Sequence, residues 1–232
     1  MNAKILEEEI KNLYNEEYAT HHAKFFQTHK GGYGEGDLFY GARAPELRAI
    51  SKKYQAIELA EIQQLLKNPY HEVRTAALFI MVLKYKKEKD QRKNLYELYL
   101  KNLDHINNWD LVDTTAQHII GPYVFENNSE ETIWQLANSN KLWHERVAMI
   151  APLYHIKKDY YDLTIKLAEH FLPHRHHLMH KASGWMLREV GKRDIIPLKT
   201  FLDKHSKIMP RTMLRYAIEK LSPEEKTFYM KK

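Results

Sequence analysis

Asn107-Asn108-Trp109-Asp110-Leu111-Val112-Asp113, continuing through Thr114-Thr115-Ala116 to Gly121-Pro122, is the stretch on which the fold of this chain turns. It reads as the start of a helix. Asn108 is of a type that caps a first turn by accepting a backbone N–H, and Asp110 lies where the positive end of the helix dipole favours a carboxylate. Gly121-Pro122 is expected to end the run. Leu111, Val112, Thr115, Ala116 and Ile119 recur at helical spacing as one apolar stripe. Trp109 and Asp113 are four residues apart, so they share a face at the edge of that stripe, half supported and half exposed. Two readings of the pair stand. One is a packing indole beside a satisfied polar neighbour. The other is a binding pair, because an indole recognises cations and sugar faces and a held carboxylate stabilises a developing positive charge.

Ala116 of this stretch has counterparts along the chain. Aligning Ala77, Ala116, Ala148, Ala182 and Ala217 gives gaps of 39, 32, 34 and 35 residues, a small residue recurring where two helices would approach closely. That period lies slightly below the roughly 40–47 residues of HEAT units and near that of other helix-pair solenoids. Helical periodicity is expected over 2–29, with Ile5, Leu6, Ile10, Leu13 and Tyr14 on one stripe, and from Ala44-Pro45 onward. Short amphipathic segments follow at 58–67, 70–86, 91–104, 109–120, 129–138, 142–156, 159–171, 177–190, 195–204, 211–221 and 223–230. Pro152 should bend or break its helix. Lys30 to Gly41 holds five of the eight glycines. It reads as a loop, though not a P-loop, which either connects flexibly or approaches a ligand closely. The expectation is an all-α solenoid of HEAT-like repeats with a concave basic face. Residues 1–232 would form a single domain: N-terminal helices over 1–30, a loop over 30–43 and stacked pairs over 44–232. Trp109, Asp113, Arg146 and Trp185 would then converge from three successive second helices.

With only 8 Gly and 8 Pro, the chain lacks the turn residues of an all-β protein. The absence of cysteine excludes disulfides, thiol catalysis and Cys-based zinc sites. No apolar run approaches a membrane span, and the N-terminus turns acidic too early for a signal peptide, so a soluble cytoplasmic protein is expected. Net charge is +6. Residues 1–70 carry 9 basic against 10 acidic side chains, so the excess lies in the remainder, where a polyanion such as nucleic acid is the natural partner.

Other candidates follow the same logic. Trp143 and Arg146 lie three apart, placing an aromatic and a guanidinium on one face, as a phosphate or carboxylate contact requires. In Lys181-Ala182-Ser183-Gly184-Trp185-Met186-Leu187-Arg188, Gly184 sits mid-helix at a cost of about 1 kcal/mol, which makes sense if another backbone or a ligand comes close. Trp185 reads equally as core packing. His176 and His180 are one helical turn apart, but no acidic third ligand follows, so no metal is expected. The histidines of 174–180 are expected on a DNA-facing surface, becoming partly cationic below about pH 6.5.

Asn-Trp-Asp-Leu-Val-Asp at 108–113, Trp143-x-x-Arg146, and Lys181-Ala182-x-Gly184-Trp185-x-Leu187-Arg188-Glu189 together resemble the AlkD-type DNA alkylation-repair glycosylases, built of HEAT-like repeats. The resemblance runs from about the glycine-rich loop to Leu221. It implies a DNA glycosylase that excises N3- and N7-alkylated purines from double-stranded DNA, without cofactor or metal and without full base flipping. By motif, Trp109 and Trp185 would hold the sugar, Asp113 would act in catalysis and Arg146 would meet the backbone, with Trp143, Lys181 and Arg188 as further DNA contacts. Two departures bear on substrate range: Asn108 stands where members can have a second aromatic, and the loop Gly34–Phe39 differs from their shorter approach to Pro45. Beside the enzyme stand two other readings, a non-catalytic binder of damaged, bent or branched DNA and a protein-interaction scaffold. No obligatory protein partner is expected, and solenoids of this length are often monomers.

Overall fold

The structure, a computed structural model, describes residues 2–231. Among these every regular element is helical, and the sole strand-like feature is a single bridge between Leu38 and Tyr70. The chain is all-α. It divides into two compact units, the first ending at Ile119 and the second beginning at Ile120.

The first unit holds α1 (Ala3–Lys11), α2 (Glu16–Phe25), α3 (Ala44–Lys53), α4 (Leu59–Leu66), α5 (His71–Lys87), α6 (Arg92–Lys101) and α7 (Trp109–Asp113). The single helix expected over 2–29 is two. Asn2 caps α1 through Ile5 N–H and Asn15 caps α2 through Tyr18 N–H. An asparagine that prefers the capping conformation stops one helix and starts the next. Consequently Leu6 and Ile10 are buried, while Ile5 and Tyr14 of the expected stripe are exposed. Helix α5 is not amphipathic either. From His71 to Val82 every residue is buried, as α3, α4, α6 and α7 pack around it. A helix apolar on all sides, as the run Ala76–Leu83 is, belongs inside.

Helix α8 (Ala116–Asn127) carries the boundary, and the second unit continues with α9 (Glu130–Ala137), α10 (Leu142–Ile150), α11 (Leu153–Ile156) and α12 (Asp162–His170). Then come α13 (His177–Arg193), α14 (Ile195–His205), α15 (Arg211–Ala217) and α16 (Pro223–Met230). Pro152 breaks its helix as expected, separating α10 from α11. Gly121-Pro122 does not end a helix. The break comes earlier, at Thr114-Thr115, and Pro122 lies inside α8. Its lost backbone bond and ring clash cost about 3 kcal/mol, which burial of Ile119, Ile120 and Val124 around it offsets. Helix α13 is the axis of the unit, packed by α10, α12, α14 and α15. The five aligned alanines are all buried, each on a different helix. Among the described residues no helix is long and apolar enough to cross a membrane.

Candidate functional site

Helix α7 spans only five residues, too few to be stable alone, so its position depends on what holds it. Asn108 caps it, its side-chain oxygen accepting the Trp109 N–H at 2.9 Å. Leu111, Val112, Thr115, Ala116 and Ile119 are fully buried, while Trp109 and Asp113 are both half exposed, the arrangement their spacing predicts. Behind Asp113, the buried Tyr99 hydroxyl meets Thr115 Oγ1 at 3.0 Å. Burial foremost, with the Asp113 charge adding to it, raises the Tyr99 pKa. Behind Trp109 lie two rings of α2 and its C-cap. Phe26 is 5.5 Å away and tilted by 35°, and Phe25 is 5.8 Å away edge-on.

Beneath α7 runs a charge network that sequence reasoning missed. His71, the first residue of α5, places Nε2 2.8 Å from Asp110 Oδ2 and Nδ1 3.0 Å from Asp37 Oδ2. Asp37 belongs to the glycine-rich loop, and its other oxygen meets Arg74 Nη2 at 2.7 Å and the Asn107 amide at 2.9 Å. The same Arg74 nitrogen donates to Asn107 Oδ1 at 2.9 Å, while Nη1 donates to the Asn68 carbonyl at 2.8 Å. Burial opposes charge on His71, yet Asp110 and Asp37 outweigh it and push its pKa up to about 9. For Asp37, burial alone would raise the pKa, but His71, Arg74 and Asn107 hold it below the usual carboxylate range. Two cations thus face two carboxylates in a nearly closed setting, each desolvated charge paired as burial demands. The glycine-rich loop is therefore no free connector. A Cβ on Gly34 would stand 2.3 Å from the Phe26 carbonyl and 3.1 Å from Asn108 Nδ2, so only glycine lets the loop pass under α7. A clue was available: His71, Glu72 and Arg74 stand at the head of an otherwise apolar run, where charges require buried partners.

The remaining candidates lie in the second unit. Trp143 is half buried in the first turn of α10, and Arg146, one turn on, is 4% exposed with Nη1 donating to the Leu178 carbonyl at 2.6 Å. On α13, Lys181, Trp185 and Arg188 are half buried. Trp185 donates its indole N–H to Glu189 at 3.0 Å, and Arg188 pairs with both Glu189 and Glu219. Gly184 answers the expectation of a close backbone. A Cβ there would lie 2.4 Å from the Met213 carbonyl and 2.6 Å from Tyr216 Cβ, which places α15 directly against α13.

Three of the histidines of 174–180 bond within the second unit. His176 Nδ1 accepts the Leu178 N–H, His180 Nε2 faces the His174 carbonyl, and His174 Nε2 meets Glu145 at 3.0 Å. The expectation that this stretch gains charge just below pH 6.5 is corrected for two of them. Burial, reinforced by His177, His174, His180 and Arg146, pushes His176 down to about 4, and burial with Lys181 and His180 lowers His177.

The site of the first unit thus offers an indole and a carboxylate one helical turn apart, backed by a paired interior. Comparison with known proteins bears on its use. A family model for DNA alkylation repair enzymes matches residues 6–221. A solved structure of a predicted DNA alkylation repair enzyme from Enterococcus faecalis superposes with a TM-score of 0.71 at 18% identity, covering 90% of this chain and 97% of that one. At that identity the likeness is one of fold. No curated protein matches the chain in sequence.

Proposed function

The chain belongs to the DNA alkylation repair enzyme family, and from that premise we propose that it is a DNA glycosylase of base excision repair. Its reaction is hydrolysis of the N-glycosidic bond of N3- and N7-alkylated purines in duplex DNA, leaving an abasic site. The observation that carries the reading is the half-exposed Trp109 indole beside the half-exposed Asp113 carboxylate, on a helix fastened from behind. An alkylated purine already bears positive charge. It departs with the bonding electron pair as a neutral base and needs no general acid, while the deoxyribose gains oxocarbenium character. Asp113 stabilises that charge and positions the attacking water. The face of Trp109 adds cationic stabilisation against the sugar, and the family motif assigns Trp185 the same kind of contact. Arg146 is assigned to the phosphodiester, and Trp143, Lys181 and Arg188 to further DNA contacts, so affinity falls steeply with salt. The protein acts as a monomer on its duplex, in the cytoplasm.

Single-turnover incubation with duplex DNA containing N7-methylguanine tests this, following free base and abasic sites together. Wild type releases base. Asp113→Asn lowers the rate at least about a hundredfold and Trp109→Ala by about tenfold or more, with the helical circular-dichroism signal unchanged. Salt-sensitive binding without release from this substrate or from N3-methyladenine would make the protein a non-catalytic binder instead.

A further inference from the structure

We propose that His71 is a positioning residue for the Trp109–Asp113 helix, its two ring nitrogens fastening the first turn of α7, through Asp110, to the glycine-rich loop, through Asp37. The proposal rests on the glycosylase reading of Trp109 and Asp113. Its ground is geometry. Both ring nitrogens meet carboxylate oxygens, at 2.8 and 3.0 Å, and the side chain is 3% exposed. A neutral imidazole has one donor and one acceptor, and would set a lone pair against one of those oxygens; only the imidazolium donates to both. The charged groups facing it are Asp110 from α7, Asp37 from the loop and Arg74 from α5 itself. The pairs balance when His71 is charged, and loss of its proton leaves an excess of buried negative charge under α7.

Two routes carry the position of His71 to the site. The first is Asp110. Its Oδ2 is held by His71 alone, and its Oδ1 is buried with no hydrogen-bond partner, so nothing else among the described residues fixes this carboxylate. The second is aromatic. His71 lies 4.9 Å from both Phe26 and Phe39, and Phe26 in turn lies 5.5 Å from Trp109. A five-residue helix has little rigidity of its own, so both routes set where Trp109 and Asp113 stand. A catalytic carboxylate displaced by about 1 Å loses on the order of a hundredfold in rate while substrate binding is retained.

The test uses His71→Gln, whose amide nitrogen takes the place of Nε2 and keeps the bond to Asp110 without the charge or the Asp37 link. Asp110→Asn, at a less buried side chain, serves where the first variant fails to fold. Single-turnover release of N7-methylguanine is followed from about pH 6 to about pH 10, corrected for enzyme-free loss, together with the Kd for unmodified duplex. Expected for wild type is a rate that falls as pH rises through about 9. Either variant should be slower by about tenfold or more at neutral pH, with a duplex Kd within about twofold of wild type. His71→Gln should lack the alkaline limb, and Asp110→Asn, which removes one of the two carboxylates facing His71, should shift it to lower pH. Variants that fold and release base at the wild-type rate with the wild-type pH profile overturn the proposal. If wild type releases no base, the glycosylase reading fails, and nitrogen NMR then decides the positioning role separately. A doubly protonated His71 ring at neutral pH, with the Trp109 indole resonance shifted in His71→Gln, supports it; a neutral ring or an unmoved Trp109 resonance overturns it.

Discussion

Arg74 shows what a single buried side chain does here. At 3% exposure it joins the Asn68 carbonyl, Asn107 and Asp37, tying the end of α4, the approach to α7 and the glycine-rich loop to α5. Replacing it by methionine keeps the stem but leaves Asp37 with one cation fewer. The expected loss is about 3–5 kcal/mol in urea unfolding, the cost of an uncompensated buried charge. Phe26→Ala removes the ring between His71 and Trp109, with an expected loss of about 3 kcal/mol and slower base release. At this scale sequence reasoning was uneven. Asn108 as cap, Asp110 at the positive helix end and the half-exposed Trp109 and Asp113 were readable, because each follows from positions within one turn of one helix. The partners of His71 lie 34 and 39 residues away, and no periodicity marks such a pairing.

Among elements, the packing of α15 on α13 depends on one missing methyl group. Gly184→Ala sets a Cβ against the Met213 carbonyl and Tyr216 Cβ, so the two helices must separate. Despite alanine's better helix propensity, the substitution should destabilise by about 1–3 kcal/mol, seen as an earlier denaturant midpoint. Most helices were legible from their stripes, and α13 and α16 match closely in extent. The failures share a cause. Over 2–29 the expected helix ran straight through Asn15, whose side chain closes a local bond that competes with helix. In α8 tertiary burial overrode the proline. In α5 charged residues suggested a solvated face, whereas each is satisfied inside: Glu72, for instance, accepts the Tyr40 and Gly41 N–H groups at 3.1 and 2.8 Å.

For the whole molecule, two buried histidines set opposite pH limbs, one in each unit. The folded pKa of His71 is raised, so its contribution, on the order of 3 kcal/mol, is fully present below about pH 6.5 and is lost as pH rises through about 9. His155 is 3% exposed with neither ring nitrogen partnered, and burial pushes its pKa down to about 4. Stability there is intact above about 6.5 and falls as pH drops toward about 4. Thermal unfolding against pH should therefore peak slightly below neutrality. His71→Gln should flatten the alkaline side and leave the acid side in place. The glycine-rich loop has a further consequence, in time rather than in energy. Asp37 and Asn107 meet across 70 residues of chain. A nascent polypeptide that has emerged only as far as Leu103 holds the loop and α5 but not α7, so Asp37 and Arg74 wait without Asn107, and His71 without Asp110. Contacts of such long span close late in folding, and the setting of Trp109 is accordingly the last part of its unit to be made on the ribosome.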